Sequence, residues 1–353
     1  MKNIALTRQD TSILKGIAIC AMLFHHLYFS SPDGIEKYTG LLSWMGDLGK
    51  VCVSIFLFCS GYGLATNYVN CKDHGIKSSA KFVARRFMRF YPSYWVVLLL
   101  FIPISIFVFG RTFEIAYGGS NIPKMIIFEI FAINGFLSYN VTWWFNVLIV
   151  IFYLLFPIIF LLVERLKWVF VFFCLVLFRL CYHVPGSFIE VCFWQFPFVL
   201  GVFWSIMAPK TQGIALSFEK HRMIWISMLL VLMVVLVFLR MNPVVPKWQG
   251  VRLDPFLTCV IAFVVAAMNR KESWISSSLS FLGKHSMNIY LTHTFFNGYW
   301  RPQWLHTGTL MRNGLNFVVL MSICLLVSIL LEWIKERCGI YLLVNNISEK
   351  IKS

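Results

Sequence analysis

The sequence predicts an all-α fold, a polytopic membrane helical bundle of about ten transmembrane helices, and three observations predict it. The 353 residues are 59% hydrophobic and 17% aromatic but only 13% charged, which suits a chain whose solvent is largely lipid. Apolar runs near the spanning length recur along the whole chain. Two of these runs hold Lys and His inside them, and lipid tolerates such groups only where they face protein or a water-filled cavity.

Spans are expected over 12–30, 50–69, 91–110, 142–163, 166–182, 188–208, 222–240, 254–269, 277–297 and 313–333. The first contains LKGIAICAMLFHHLYF (14–29). Residues 1–12 are polar and no small-residue cleavage pattern follows, so this run is expected to stay in the membrane rather than act as a signal peptide. The second, VCVSIFLFCSGYGLA (51–65), is interrupted by Ser60-Gly61-Tyr62-Gly63. Small residues there serve close helix packing, or leave Ser60 and an open space for a ligand. Before the third span lies AKFVARRFMRFYPSYW (80–95), a basic and aromatic interfacial stretch, with Pro92 fitting the start of the span itself.

Residues 122–137 are apolar but short and contain Lys124 and Glu129, so a re-entrant or interfacial helix is expected there. The fourth span opens with Trp143 and Trp144, ordinarily an aromatic anchor at the outer interface. Arg179 and Glu190 are embedded charges that could simply pair. The ninth span, FLGKHSMNIYLTHTF (281–295), places Lys284, His285, Asn288 and His293 in an otherwise apolar helix. With ten spans, roughly twice as many Lys and Arg fall in the segments sharing a side with the termini as in the opposite loops, which puts both termini in the cytoplasm. No internal repeat or long linker divides the chain, so one integral-membrane domain is expected over 1–353, with its core at 12–333 and a short cytoplasmic tail at 334–353.

The net charge of +16 reads as cytoplasmic loops facing an anionic leaflet, not as a nucleic-acid surface. Most of the ten cysteines sit inside apolar runs, no CxxC occurs, and no His/Cys cluster has metal-ligand spacing. They read as small hydrophobes, and no metal is expected.

Chemistry concentrates in the first span. Lys15 and His26 are eleven residues apart, which on a helix is about 20° of drift and a rise of roughly 16 Å, so both share one face. Lys15 would lie near one bilayer edge and His26 past its middle. His25 lies about 100° round from His26, so the two cannot easily share a role. Arg86 and Arg89 share a second helical face, with Arg85 beside them. Such guanidinium pairs suit phosphates, although an isolated basic loop is more often a topology signal.

Taken in order, LKGIAICAMLFHH, FLFCSGYG, RRFMRFYP and FLGKHSMNIYLTH, with looser matches in TWWFNVLIVIFYLLFP and FPFVLG, resemble the acyltransferase-3 family of integral membrane acyltransferases. The resemblance covers about residues 12–330. It implies a ten-helix bundle with a pore-like cavity in a plasma membrane, the cytoplasmic membrane in a bacterium. Acyl-CoA, acetyl-CoA by default, would be the co-substrate, with no permanently bound cofactor. The acceptor would be a hydroxyl of a cell-surface or lipid-linked carbohydrate. Carried over residue by residue, it marks Lys15 and His26 as catalytic and Arg86 and Arg89 as acyl-CoA-binding. His25 joins the first group, and Arg85 and Ser60 the second. Trp143, Trp144, Asn288 and His293 are assigned to the acceptor side or the cavity wall. Two departures stand out. Lys15 replaces an arginine common in the family, and Ser54 replaces an acidic residue, leaving Asp47 or nothing to orient a histidine. A transporter or flippase using these residues as a proton relay, and a non-catalytic member of a glycan-assembly complex, are the competing readings. Membrane lipid is the remaining expected partner, and the oligomeric state is left open.

Overall fold

The computed structural model describes residues 4–30, 40–71, 73–181, 188–242, 250–268, 273–299 and 310–352. Of the charges used for the topology reading, Lys2, Lys37, Lys72, Lys247, Arg270, Lys271 and Arg301 lie outside these residues. The described chain is helical and contains no strand. In order the helices are α1 (Arg8–Tyr28), α2 (Gly40–Leu48), α3 (Val51–Tyr68), α4 (Ile76–Phe107), α5 (Phe113–Tyr117), α6 (Ile122–Ile130), α7 (Trp144–Leu166) and α8 (Trp168–Leu180). They continue with α9 (Phe188–Met207), α10 (Gln212–Lys220), α11 (Arg222–Arg240), α12 (Asp254–Met268), α13 (Trp274–Lys284), α14 (Ser286–Thr294), α15 (Leu310–Arg337) and α16 (Ile340–Lys352). Among the described residues eight segments are long and apolar enough to cross a membrane, so the protein is a polytopic helical membrane protein.

The expected spans at 12–30, 188–208, 222–240, 254–269 and 313–333 fall on α1, α9, α11, α12 and α15. Others differ in form. The interfacial stretch and third span are one 32-residue helix, α4, with Pro92 and Pro103 inside it, so Pro92 does not start a span. At 1.5 Å per residue α4 runs about 48 Å against a hydrocarbon core of ~30 Å. Its basic first turns therefore extend beyond the apolar layer. The ninth span is not continuous. It breaks at His285, whose φ of −87° and ψ of 1° leave the helical region, and resumes as α14. The short α8 occupies the fifth span, and Lys167 turns the chain before it with a φ of 48°. Residues 122–137 hold the nine-residue α6, about 14 Å long and too short to cross.

The helices fall into two compact units. One comprises Met1–His25, Thr39–Lys72 and Phe156–Lys284, and the other His26–Tyr38, Asp73–Leu155 and His285–Ser353. In the first, glycines set the helix contacts. A Cβ on Gly61 would lie 2.2 Å from the Phe198 carbonyl oxygen, and one on Gly201 would lie 2.1 Å from that of Phe58. SGYG and FPFVLG thus form a reciprocal backbone contact between α3 and α9. The same arrangement joins α1 and α13, where Cβ atoms on Gly16 and Gly283 would meet the Leu279 and Ser12 carbonyls at 2.0 and 1.8 Å. Tyr62 reaches back to the start of the chain, its hydroxyl accepting from the Leu6 amide and donating to the Leu6 carbonyl. Helix α1 opens with a capping box in which Asp10 accepts from the Thr7 amide and Thr7 Oγ1 accepts from the Asp10 amide. Outermost in character is α11, whose apolar window is 0% buried and so suits lipid.

In the second unit Glu129 ties α4, α5 and α6 together. Its carboxyl accepts from the hydroxyls of Tyr94 and Tyr117, the Asn134 side-chain amide and the Tyr139 backbone amide. Burial pushes this carboxyl above its usual range against the pull of those donors. Helix α16 packs against α4, and α14 against α15.

Candidate active site

The last turn of α1 and the end of α14 bring two histidines together. The rings of His26 and His293 lie 4.9 Å apart between centroids, tilted by 43°. His293 is 0% exposed and His26 half-buried. The turn that carries His26 is pinned from α14's extension, where Asn297 donates to the His26 carbonyl at 2.8 Å. That carbonyl belongs to the last turn of α1, where intrahelical partners run out. Asn297 lies in a π-helical turn, Phe295–Tyr299, a local widening that is frequent at functional sites.

A string of hydrogen bonds continues from His293. Its Nδ1 is 2.8 Å from the Tyr290 carbonyl oxygen. A carbonyl only accepts, so Nδ1 carries a hydrogen. Nε2 lies 3.3 Å from Thr294 Oγ1, which in turn lies 2.9 Å from Thr142 Oγ1. The Thr142 hydroxyl donates to Asn140 Oδ1 at 2.8 Å. Thr294 has one hydroxyl hydrogen to place. Given to Nε2, it leaves His293 neutral and requires Thr142 to turn its own hydrogen from Asn140 to Thr294; given to Thr142, it leaves an oxygen able to accept from a protonated Nε2. The string therefore holds His293 in either protonation state.

The other sequence-predicted residues occupy distinct places. Lys15 sits in the same continuous helix as His26, half-buried, with no carboxylate within ion-pair distance among the described residues. His25 donates from Nδ1 to the Gly46 carbonyl at 2.8 Å, inside the Gly46–Gly49 turn that α1 packs against. Arg85 and Arg86 lie over the Phe82 ring at 5.9 and 5.2 Å, while Arg89 is exposed. Ser60 is half-buried, with Gly61 packed against α9 on one side of it in sequence and Gly63 facing open space. Trp143 is a core residue, not an interface anchor. It is 1% exposed and donates from Nε1 to the Leu291 carbonyl, with Tyr94 and Phe295 against its ring. Trp144, half-buried, stacks on Phe136. Asn288 faces α15, donating to Glu332 and accepting from Lys335.

A family model described as an acyltransferase domain matches residues 10–333. The chain belongs to the acyltransferase-3 family. This acyltransferase is thus an integral membrane enzyme whose family domain takes in every span from α1 to nearly the end of α15. No curated protein and no solved structure matches it.

Several features of this acyltransferase were not visible in its sequence. Ser54, standing where the family often has an acid, accepts from the Thr258 hydroxyl at 2.8 Å. Asp47 is taken by Arg240, whose Nη1 lies 3.1 Å from Asp47 Oδ2 and whose Nε lies 3.0 Å from Asp254 Oδ1. Beside His26 stands the ring of His293. Arg240 and Asp254 sit at helix ends, where charges ordinarily signal topology, so only opposite signs at matched depths could have hinted at the triad. Glu190 likewise has its own partner, accepting from Trp194 Nε1 one turn along α9, and forms no ion pair with Arg179.

Proposed function

We propose that this membrane acyltransferase moves an acyl group, acetyl by family resemblance, from cytoplasmic acyl-CoA to a hydroxyl of a cell-surface or lipid-linked carbohydrate. The observation that carries the reading is the His26–His293 pair at the end of α1. His26 takes the proton from the acceptor hydroxyl as its oxygen attacks the thioester carbonyl. The new C–O bond forms, the C–S bond breaks, and the proton passes from His26 to the departing CoA sulfur. An imidazole suits both steps because its ordinary pKa lies near neutrality. The His293 ring lies beside His26 and is itself held by a buried hydrogen-bond string that accommodates a proton. Lys15 is an embedded ammonium with no carboxylate partner among the described residues, suited to a phosphate or to the pantetheine arm. Arg86 and Arg89, with Arg85, suit the CoA phosphates at the cytoplasmic mouth. Ser60, beside the open space at Gly63, lines the pantetheine path. Both termini are then cytoplasmic, and a bacterial cytoplasmic membrane is the fitting location.

Purified enzyme in lipid discs, given acetyl-CoA and a polysaccharide acceptor, should release CoA and form an O-acetyl ester. His26→Ala should lower that rate at least about a hundredfold while leaving membrane abundance intact. CoA release at the wild-type rate from this variant would falsify the base assignment. With acceptor omitted, stoichiometric label on the protein would instead indicate a covalent relay through the enzyme.

A further inference from the structure

The hydrogen-bond string beyond His293 ends at Asn140, which the Tyr299 side chain links to Arg111, and each of the two keeps one donor group unused among the described residues. Asn140 is 0% exposed, and its Oδ1 accepts from the Thr142 amide, the Thr142 hydroxyl and the Tyr299 hydroxyl. Those three donors fix the carboxamide's orientation, and its Nδ2 is left buried without a partner. Leaving a buried donor unmatched in this way is costly. Beside it stands Arg111, half-buried, its guanidinium 4.0 Å above the Tyr299 ring and 5.6 Å from that of Tyr139. Its Nε and Nη2 both donate to the Tyr139 carbonyl, at 3.3 and 3.1 Å. This bond orients the fork and leaves the Nη1 end without a hydrogen bond. No carboxylate lies within ion-pair distance of it among the described residues. Glu129, which accepts from the Tyr139 amide, is already engaged by its four donors.

A charged fork and a neutral amide donor, both unpaired and both held rigidly, suit an oxygen ligand that bears negative charge. Tyr299 belongs to the same π turn whose Asn297 pins His26. We propose that Arg111 and Asn140 form an acceptor subsite that binds an oxyanion on the carbohydrate, so that the enzyme favours acidic sugars over neutral ones. The inference rests on the acyl-transfer reading for its acceptor, but the binding it states can be measured without turnover.

The test uses full-length enzyme in lipid discs and two glycosides alike except at one carbon, a methyl glucuronide and a methyl glucoside. Dissociation constants for both are measured in the wild type, Arg111→Gln and Asn140→Asp. Asn140→Asp keeps every acceptor bond of Oδ1 and replaces the orphan donor with negative charge, so it serves where Arg111→Gln weakens the fold through lost contact with Tyr139. The wild type should prefer the acid about tenfold or more, and each variant should bring that ratio close to one. A wild type without preference, or a ratio that neither variant moves, overturns the subsite. Competition by glycerol phosphate as strong as by the glucuronide overturns its assignment to the acceptor, because a lipid headgroup would then satisfy it equally. Selective binding of the glucuronide by an enzyme that releases no CoA from acyl-CoA would sink the acyl-transfer reading instead.

Discussion

A neutral imidazole has one N–H, and in His293 the Tyr290 carbonyl claims it at Nδ1. Its Nε2 faces the Thr294 hydroxyl, with that of Thr142 behind it. Under the proposed mechanism His293 is a positioning and proton-holding residue rather than a second base on the acceptor. Replacing His293 with Gln keeps a hydrogen-bonding side chain but cannot hold a proton. The change should lower kcat about tenfold to a hundredfold while the KM for acyl-CoA stays within about twofold. Steady-state kinetics across pH would check it, and a raised KM with an unmoved kcat would place His293 in donor binding. His25, next in sequence to His26, has its ring nitrogen committed to Gly46 and a structural part to play. Two adjacent identical residues thus have different surroundings, as the ~100° step between helical neighbours requires.

At the scale of the element, glycine placement decides which helices approach. Gly61 and Gly63 lie one residue apart in the same motif but have opposite surroundings: backbone at 2.2 Å in one case, nothing within 4 Å in the other. Gly61→Ala should push α3 away from α9 and cost about 1–3 kcal/mol, whereas Gly63→Ala should stay within about 0.5 kcal/mol of wild type. Thermal unfolding of the detergent-solubilised protein compares the two directly. Equal effects would mean that the α3–α9 approach is not set by this contact. The break between α13 and α14 belongs to this scale as well. Lys284 and His285 stand at the junction of two short helices rather than deep inside one span. Their polarity is easier to accommodate at helix ends, where backbone groups are already short of partners.

For the molecule as a whole, one buried charge group joins helices far apart in sequence. Arg240 is 2% exposed and joins Asp47 of α2 to Asp254 of α12 through hydrogen-bonded ion pairs. Removing the guanidinium would strand two carboxylates in a low-dielectric interior. Arg240→Met should therefore lower stability by about 3–5 kcal/mol. A melting temperature within error of the wild type would show that the aspartates find other partners. Charges of this kind make the net count of +16 a poor guide to local roles, since embedded basic groups here include an ion-paired one and unpaired ones.

Composition and spacing alone determined that the chain is a helical membrane protein, where nearly every span lies, and that Lys15 and His26 share one helix. These are properties of local hydropathy and of a fixed helical repeat, and the ordered motifs carried the family resemblance from 12 to 330. The tertiary structure decided what faces what: that His293 stands beside His26, that Trp143 is core, that Asn288 turns to α15, and that Asp47 serves Arg240. Apolar runs in a membrane chain are hydrophobic on every side, so periodicity does not say which face meets protein and which meets lipid. Polar side chains find their partners only when helices distant in sequence come together, and no spacing along one helix encodes that meeting.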